Sequence, residues 1–227
     1  MMMQMQMKKS PLSNINASGI NVSSIKGLYA ITPDIDDTDV LLKKVEAALQ
    51  GGINILQYRN KQANHKLQIQ QARALLPLCR QFNVPLIIND SVKICLTLDA
   101  DGVHLGADDG DLAEVRDRIG LDKILGASCY NRFDLALTAQ DQGANYVAFG
   151  ACFTSTTKPN APVADLSLFK RASTELHIPT VAIGGINLHN APQVIQAGAN
   201  AIAVIQAIFN TDDVKSASQQ FSQLFKP

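Results

Sequence analysis

Two basic side chains stand two positions apart in the stretch QYRNK, where they are Arg59 and Lys61. Residues two apart in an extended strand project to the same side, so both cations could meet one ligand. Arginine can bind two oxygens of a phosphate or carboxylate at once, and lysine adds a second positive charge. The pair suits an anionic ligand, although a solvated charge pair explains the same spacing equally well.

Carboxylates follow two later apolar runs, as Asp90 after IIN and as Asp108 and Asp109 after GVHLGA. Asp90 and Asp109 together could hold Mg²⁺ beside a diphosphate, because that ion prefers hard oxygen ligands. Asp108 competes with Asp109 for this role, and Asp90 could instead cap a helix. His104 lies in mid-run, which favours a packed, hydrogen-bonded histidine over a general acid or base.

A long polar stretch, FTSTTKPNAPVAD, occupies residues 153–165. Its hydroxyl groups can donate to phosphate oxygens, and Lys158 supplies a positive charge. Loops of this length often cover a substrate. The later pair Gly184-Gly185 would let backbone N–H groups approach an anion closely. These two features predict a second anion site.

Eight apolar runs of strand length must position these residues, and most are continuous, as in parallel strands buried on both faces. The predicted strands are Leu28–Thr32, Ile53–Tyr58, Leu86–Asn89, Val103–Gly106, Ile124–Ser128, Tyr146–Gly150, Thr180–Gly184 and Ala201–Ile205. Segments with helical periodicity separate them, and glycines follow several of these segments, at Gly51-Gly52, Gly143 and Gly198.

Eight strand–helix units predict an α/β fold, a (β/α)8 TIM barrel that forms a single domain over residues 27–227. The alternative is an open doubly wound sheet, which usually carries G-x-G-x-x-G after its first strand; Leu28 to Pro33 has no such motif. Barrels place chemistry at the carboxyl ends of the strands and often bind phosphate after strands seven and eight. The polar groups therefore predict two anion sites at one end, for two phosphorylated substrates or one double-ended substrate.

The composition narrows the class of protein. Of 227 residues, 46% are hydrophobic and 18% charged, as in soluble globular proteins, and 20 basic residues balance 20 acidic ones. That balance argues against a nucleic-acid partner. No apolar run reaches the ~18 residues of a membrane span. Residues 1–26 are predicted to form a mobile N-terminal extension without a signal peptide. The four cysteines are expected to be buried thiols in the reducing cytoplasm.

The ordered motifs resemble the thiamine-phosphate synthase family over Gly27 to about Phe209. The matching pieces are GLYAITP, QYRNK, IIND, DGVHLGADD, LGASC, FTSTTKPNAP, VAIGGIN and AIAVI. Each piece is weak alone, but together and in this order they are specific. The chain departs from the family pattern at Asn60, Ser155 and Gln206.

The resemblance implies a transferase that joins a pyrimidinylmethyl diphosphate to a thiazole phosphate, with Mg²⁺, to give thiamine phosphate and pyrophosphate in thiamine biosynthesis. It implies that the pyrimidine diphosphate is held by residues of the second and third strands, namely Gln57, Tyr58, Arg59, Lys61 and Asn89. Asp90 and Asp109 would hold Mg²⁺, and Ser128 and Lys158 would lie near the leaving pyrophosphate. The thiazole phosphate would be bound by Ser155, Thr157, Gly185, Ile205 and Gln206. Arg59, Lys61, Ser128 and Lys158 would be the catalytic residues.

Two other functions fit the same barrel. A thiazole tautomerase would need a histidine two positions after the fifth-strand serine, where this chain has Tyr130. A non-catalytic barrel that senses thiazole phosphate or thiamine phosphate would have no use for a metal–diphosphate site. The sequence leaves the oligomeric state open, and a homo-oligomer is compatible with it.

Overall fold

Eight parallel strands close into a barrel in chain order, and β8 pairs with β1. The computed structural model describes residues 25–106, 109–154 and 164–226. The strands are β1 (Gly27–Ile31), β2 (Ile55–Tyr58), β3 (Leu86–Asn89), β4 (Gly102–Leu105), β5 (Ile124–Tyr130), β6 (Tyr146–Phe149), β7 (Thr180–Ile183) and β8 (Ala201–Val204). The predicted (β/α)8 TIM barrel is confirmed.

Helices follow the strands on the outside of the barrel. Within the described residues they are α1 (Thr38–Gln50), α2 (His65–Gln81), α3 (Val92–Leu98), α4 (Leu112–Ile119), α5 (Phe133–Asp141), α6 (Ser167–Glu175), α7 (Ala191–Gln196), α8 (Gln206–Phe209) and α9 (Val214–Gln223). Side chains of Asp37 and Asn64 accept backbone N–H groups at the starts of α1 and α2. The glycines predicted at helix exits follow α1, α5 and α7, and Gly52, Gly143 and Gly198 have positive φ angles.

The bounds of β3 are as predicted, and those of the other seven strands differ from the predicted ones by one or two residues. β2 begins at Ile55, two residues later than predicted, and β5 continues to Tyr130. The register between β5 and β6 shifts between Ser128 and Tyr130. This irregularity carries β5 past the residue where its apolar run stops, which the sequence pattern does not reveal.

Two apolar cores result from strands that are buried on both faces. The larger core lies between strands and helices, and the smaller one fills the barrel interior. Ile25, which lies within the predicted extension, is 3% exposed and belongs to the interior core. The interior also holds the ring of Tyr146 opposite Gly126, where a Cβ atom would lie 2.1 Å from that ring. Glycine at position 126 therefore makes the space that the tyrosine fills.

A repeated contact joins the strands in pairs at their amino-terminal ends. The residue immediately before each even-numbered strand accepts a hydrogen bond from the backbone N–H of the preceding odd-numbered strand. The pairs are Asn54 with Leu28 (2.9 Å), Asp101 with Leu86 (2.9 Å), Asn145 with Leu125 (2.8 Å) and Asn200 with Thr180 (2.8 Å). Each contact satisfies a buried or partly buried N–H group. These contacts lie away from the carboxyl ends of the strands, where barrels of this kind place their active sites.

Candidate functional site

A cavity of about 320 Å³ opens where β2 and β3 end, and Arg59, Lys61, Asn89 and Asp90 are part of its wall. The strands are parallel, so their carboxyl ends meet on one side of the barrel. The structure thus brings together the cations and the amide that the sequence predicted for the pyrimidine diphosphate.

Asp34, which follows β1, holds the two cationic segments in place. Its Oδ1 accepts a hydrogen bond from the Lys61 backbone N–H at 2.7 Å and lies 3.4 Å from the Arg59 guanidinium. Thr32 adds to this, since its Oγ1 donates to the Arg59 carbonyl at 2.8 Å. Sequence reasoning missed Asp34, although its place directly after the first strand was an available signal.

Asp90 and Asp109 face each other beyond β3 and β4. Burial raises the pKa of the Asp90 carboxyl, and so do the hydrogen bond and negative charge of Asp109. Asn89 Nδ2 donates to Asp90 Oδ2 at 2.6 Å, and Lys61 Nζ lies 3.7 Å from the same oxygen. Two facing carboxylates that repel each other are a fitting pair of ligands for a divalent cation.

Neither aspartate is a helix cap. The cap of α3 is Ser91, whose Oγ accepts from the Ile94 N–H, so the capping alternative for Asp90 is wrong. Asp109 Oδ2 accepts from the Gly106 N–H at 2.8 Å, and Asp111 is the residue that caps α4. Both carboxylates therefore remain at the barrel mouth with oxygens available to a ligand.

The barrel interior contains polar side chains among the apolar ones. His104 is 8% exposed and hydrogen-bonds to Tyr146 Oη and Ser128 Oγ, each at 2.9 Å. Burial lowers its pKa to about 4, so the imidazole is neutral at pH 7. The expectation of a packed, hydrogen-bonded histidine is confirmed. Tyr29 and Tyr146 were missed because their rings look like ordinary strand residues; the signal was that both fall on inward-facing positions.

The turn after β7 packs against the start of the loop after β6. Cys152 N donates to the Ile183 carbonyl at 2.9 Å, and Phe153 N donates to the Gly184 carbonyl at 3.0 Å. Gly185 has φ 64°, and a Cβ atom there would lie 2.6 Å from the Thr154 carbonyl oxygen. The β6 loop thus begins beside the glycine turn, as the strand count predicted for a second anion site.

A comparison with protein families shows which family the chain belongs to. Residues 28–208 match the family model described as thiamine monophosphate synthase. The chain belongs to the thiamine monophosphate synthase family.

Relatives in this family are similar over nearly their whole length. The thiamine-phosphate synthase of Methylobacillus flagellatus is 57% identical over 88% of this chain and 96% of the relative. That of Nitrosospira multiformis is 48% identical over 89% and 86%. Among solved structures, thiamine phosphate pyrophosphorylase from Pyrococcus furiosus matches with a TM-score of 0.79 and 32% identity, covering 90% of this chain and 97% of that one. A 3-hexulose-6-phosphate synthase, at 16% identity and a TM-score of 0.64, shares the fold.

The residues that match the family's motifs divide into four groups. The first group lies at or just after the carboxyl ends of β2 to β5, and comprises Gln57, Arg59, Lys61, Asn89, Asp90, Asp109 and Ser128. Tyr58 differs, because its hydroxyl donates to Gln71 Oε1 of α2, on the helix side of its strand. Ser155, Thr157 and Lys158, like the rival Asp108, lie outside the described residues. Ile205 is half-buried and Gln206 exposed at the end of β8.

The cysteines are buried on the helix side of the strands rather than in the mouth of this family's barrel. Cys79, Cys95, Cys129 and Cys152 are all free thiols, as expected. Burial raises the pKa of each to about 12, so the thiols stay protonated and unreactive at neutral pH. No helix in the described parts of the chain is both long and apolar enough to cross a membrane.

Proposed function

We propose that this protein transfers the 4-amino-2-methyl-5-pyrimidinylmethyl group from its diphosphate ester to the ring nitrogen of 4-methyl-5-(2-phosphooxyethyl)thiazole. The products are thiamine phosphate and pyrophosphate, and the protein serves thiamine biosynthesis as a transferase. The observation that carries the proposal is the convergence of Arg59, Lys61, Asn89 and Asp90 on one cavity at the carboxyl ends of β2 and β3. Family membership supports the same reaction.

The reaction is a dissociative substitution at the pyrimidine methylene. The bond between the methylene carbon and the diphosphate oxygen breaks first, and its electron pair leaves with pyrophosphate. The pyrimidine amino group stabilises the resulting benzyl-type cation. The lone pair of the thiazole nitrogen then forms the new C–N bond, which leaves the positive charge on the thiazolium ring. No proton acceptor and no protein nucleophile are needed, so neutral His104 and protonated Cys129 are compatible with this chemistry.

The side chains at the cavity stabilise the charge that grows on the leaving group. Arg59 and Lys61 contact diphosphate oxygens, and Asp34 keeps both segments in place before substrate arrives. Such preorganised charges need no rearrangement during the reaction, which is why they lower its barrier. Lys158 and Ser128 act on the same leaving group.

Asp90 and Asp109 are proposed to hold Mg²⁺. Protein sites for this ion commonly use one or two carboxylates and complete the coordination with substrate phosphates and water. The facing pair fits that pattern, and the described residues contain no group of three or more His, Cys, Asp or Glu side chains that would form a cage of protein ligands. When bound, Mg²⁺ neutralises part of the diphosphate charge.

The thiazole phosphate is proposed to bind at the turn formed by Gly184 and Gly185, next to the β6 loop. The backbone N–H of Gly185 and those of Ile205 and Gln206 are the donors, together with the hydroxyls of Ser155 and Thr157. Loops after strands seven and eight bind phosphate in many barrels of this kind. The arrangement holds the thiazole nitrogen near the methylene cation, so that capture is fast.

One assay tests the proposal. Purified protein is incubated with both substrates, with and without Mg²⁺, and thiamine phosphate and pyrophosphate are quantified. We expect both products in equal amounts only when Mg²⁺ and both substrates are present. Absence of thiamine phosphate in the complete mixture would refute the proposed function.

A further inference from the structure

Five polar side chains form one continuous series of hydrogen bonds across the barrel interior. Gln57 Nε2 donates to Tyr29 Oη at 3.0 Å, and Tyr29 Oη lies 2.7 Å from Tyr146 Oη. Tyr146 Oη lies 2.9 Å from His104 Nδ1, and His104 Nε2 lies 2.9 Å from Ser128 Oγ. We call this series the interior hydrogen-bond chain. It joins Gln57, which is proposed to hold the pyrimidine diphosphate, to Ser128, which is proposed to lie near the leaving pyrophosphate.

The donor at Gln57 determines the direction of every later bond. Tyr29 Oη accepts from the amide, and its own proton is buried, so leaving that proton without an acceptor would cost free energy. Tyr146 Oη is the acceptor within reach, at 2.7 Å, and we take Tyr29 as the donor of this bond. Tyr146 in turn gives its proton to His104 Nδ1. A neutral imidazole that accepts at Nδ1 carries its proton on Nε2, so His104 donates to Ser128 Oγ. Each hydroxyl and the imidazole has one proton, so the donor at Gln57 determines the direction of the bond at Ser128.

The consequence appears at Ser128, which lies half-buried at the barrel mouth. Its Oγ accepts the His104 proton, so the serine's own proton must be donated to something other than His104. We propose that Tyr29, Tyr146 and His104 are positioning residues that fix Ser128 as a hydrogen-bond donor to the leaving pyrophosphate, and that the amide of Gln57 sets this polarity. The identity of the acceptor rests on the proposed function, whereas the polarity of the chain does not.

The environment keeps the interior hydrogen-bond chain neutral and well defined. Tyr29 and Tyr146 are at most 1% exposed, and burial raises the pKa of both phenols, so each keeps its proton. The His104 and Tyr146 rings stack with centroids 5.5 Å apart, and Gly126 leaves room for the Tyr146 ring. A buried hydroxyl without a hydrogen-bond partner would cost free energy, so removing one member of the interior hydrogen-bond chain destabilises its neighbours.

Reversal of the chain is the second state that this geometry allows. If Gln57 presented only an acceptor, Tyr29 would donate to it, Tyr146 would donate to Tyr29, and His104 Nδ1–H would donate to Tyr146. His104 Nε2 would then accept the Ser128 proton, and Ser128 could no longer donate to pyrophosphate. Between the two states each hydroxyl proton turns toward its other neighbour, while the imidazole proton of His104 moves from Nε2 to Nδ1. The tautomer of His104 therefore reports the polarity.

The first experiment measures that tautomer without any substrate. In ¹⁵N-histidine-labelled protein at pH 8, we expect Nε2 of His104 to be the protonated, pyrrole-type nitrogen. Gln57→Glu, whose carboxylate only accepts, should move the proton to Nδ1. Adding Tyr29→Phe to Gln57→Glu cuts the chain and should return the proton to Nε2. Tyr58→Phe, which removes a buried hydroxyl that bonds to Gln71 instead, is the matched control for Tyr29→Phe and should not block the shift.

An Nδ1–H tautomer in the unmodified protein would overturn the proposal. So would an unchanged tautomer in Gln57→Glu, a shift that survives Tyr29→Phe, or protonation of both nitrogens in Gln57→Glu.

The second experiment measures the effect on turnover. Tyr146→Phe removes the donor to His104 Nδ1 and leaves every proposed phosphate contact in place. We expect kcat to fall about 10-fold, less than the ~10²-fold loss for deleting a preorganised donor outright, while KM for the thiazole phosphate stays within about 2-fold. Tyr58→Phe should lower kcat less, and circular dichroism of both variants should show that they fold. An unchanged kcat in folded Tyr146→Phe would overturn the positioning role, whereas an inactive unmodified protein would refute the proposed function instead.

Discussion

The ammonium group of Lys61 lies 3.7 Å from Asp90 Oδ2, so a lysine cation and an expected metal ligand meet at the gap between β2 and β3. Both side chains are partly exposed, and such an ion pair adds little to the free energy of unfolding. Its importance lies in position, because Asp90 is the proposed metal ligand and Lys61 the proposed contact to the diphosphate. Substitution of Lys61 should therefore affect binding of the diphosphate, whereas substitution of neighbouring Asp90 should affect the Mg²⁺ requirement.

Lys61→Gln should weaken the transition-state contact to the diphosphate. A charged hydrogen bond contributes about 1.5–3 kcal/mol, so we expect kcat/KM for the pyrimidine diphosphate to fall about 10- to 100-fold. Steady-state kinetics at saturating Mg²⁺ measures this. Lys66→Gln, on the exposed side of α2, is the control and should leave kcat/KM unchanged. Equal kcat/KM values for the two variants would show that Lys61 does not contact the diphosphate.

Asp90→Asn should raise the Mg²⁺ concentration needed for half-maximal activity by at least about tenfold, since disturbing a metal shell commonly costs this much affinity. The amide keeps the shape of the side chain but loses its negative charge. A titration of activity against Mg²⁺ provides the measurement, with Asp117→Asn on the exposed face of α4 as control. An unaltered Mg²⁺ dependence would exclude Asp90 as a ligand.

Lys158→Ala should lower kcat by about 10²-fold or more, the usual loss when one preorganised stabiliser of a growing charge is removed. Lys158 follows the hydroxyl residues of the β6 loop, in the stretch outside the described residues. Single-turnover and steady-state rates distinguish chemistry from binding. Lys170→Ala, exposed on α6, should have no effect. A change confined to KM would mean that Lys158 helps only to bind substrate.

Gly185→Ala should weaken binding at the proposed thiazole-phosphate site. The added Cβ atom would lie 2.6 Å from the Thr154 carbonyl oxygen and 2.7 Å from that of Phe153, so the β6 loop must move. We expect a higher KM for the thiazole phosphate and a free energy of unfolding lowered by about 1–3 kcal/mol. Gly52→Ala has a positive φ of 85° but only ordinary contacts, at 3.5 Å and beyond, and should lower stability without altering KM. A Gly185→Ala variant with a normal KM would argue against phosphate binding at this turn.

Cys129→Ala should keep kcat within about 3-fold, because the thiol faces the helices while its neighbour Ser128 faces the interior. With a pKa raised to about 12, the thiol is protonated at pH 8, and reactive thiolate forms only as the pH approaches that value. Iodoacetamide should therefore leave the native protein active at pH 8 and alkylate the cysteines after denaturation. Rapid inactivation of the native protein would contradict this.

The sequence predicted the barrel well because most strands are continuous apolar runs and most of their carboxyl ends are followed by polar residues. It predicted Arg59, Lys61 and Asp90 together because their position in the strand count fixes the end of the barrel. It missed Asp34, because the position of Asp34 after β1 marks it as a strand-end residue but does not reveal that its carboxylate reaches Arg59 and Lys61 after β2. It could not predict the interior hydrogen-bond chain either, because a tyrosine satisfies an apolar strand pattern whether or not its hydroxyl has a partner.

The contacts at the amino-terminal ends of the strands divide the barrel into four modules of two strands each. Asn54, Asp101, Asn145 and Asn200 each tie an even-numbered strand to the strand before it. Breaking the chain after α2, α4 or α6 would separate whole modules, whereas a break after α1 or α3 would part a strand from its side-chain partner. The barrel should therefore reassemble from complementary fragments, or tolerate circular permutation, most readily at the even-numbered helices.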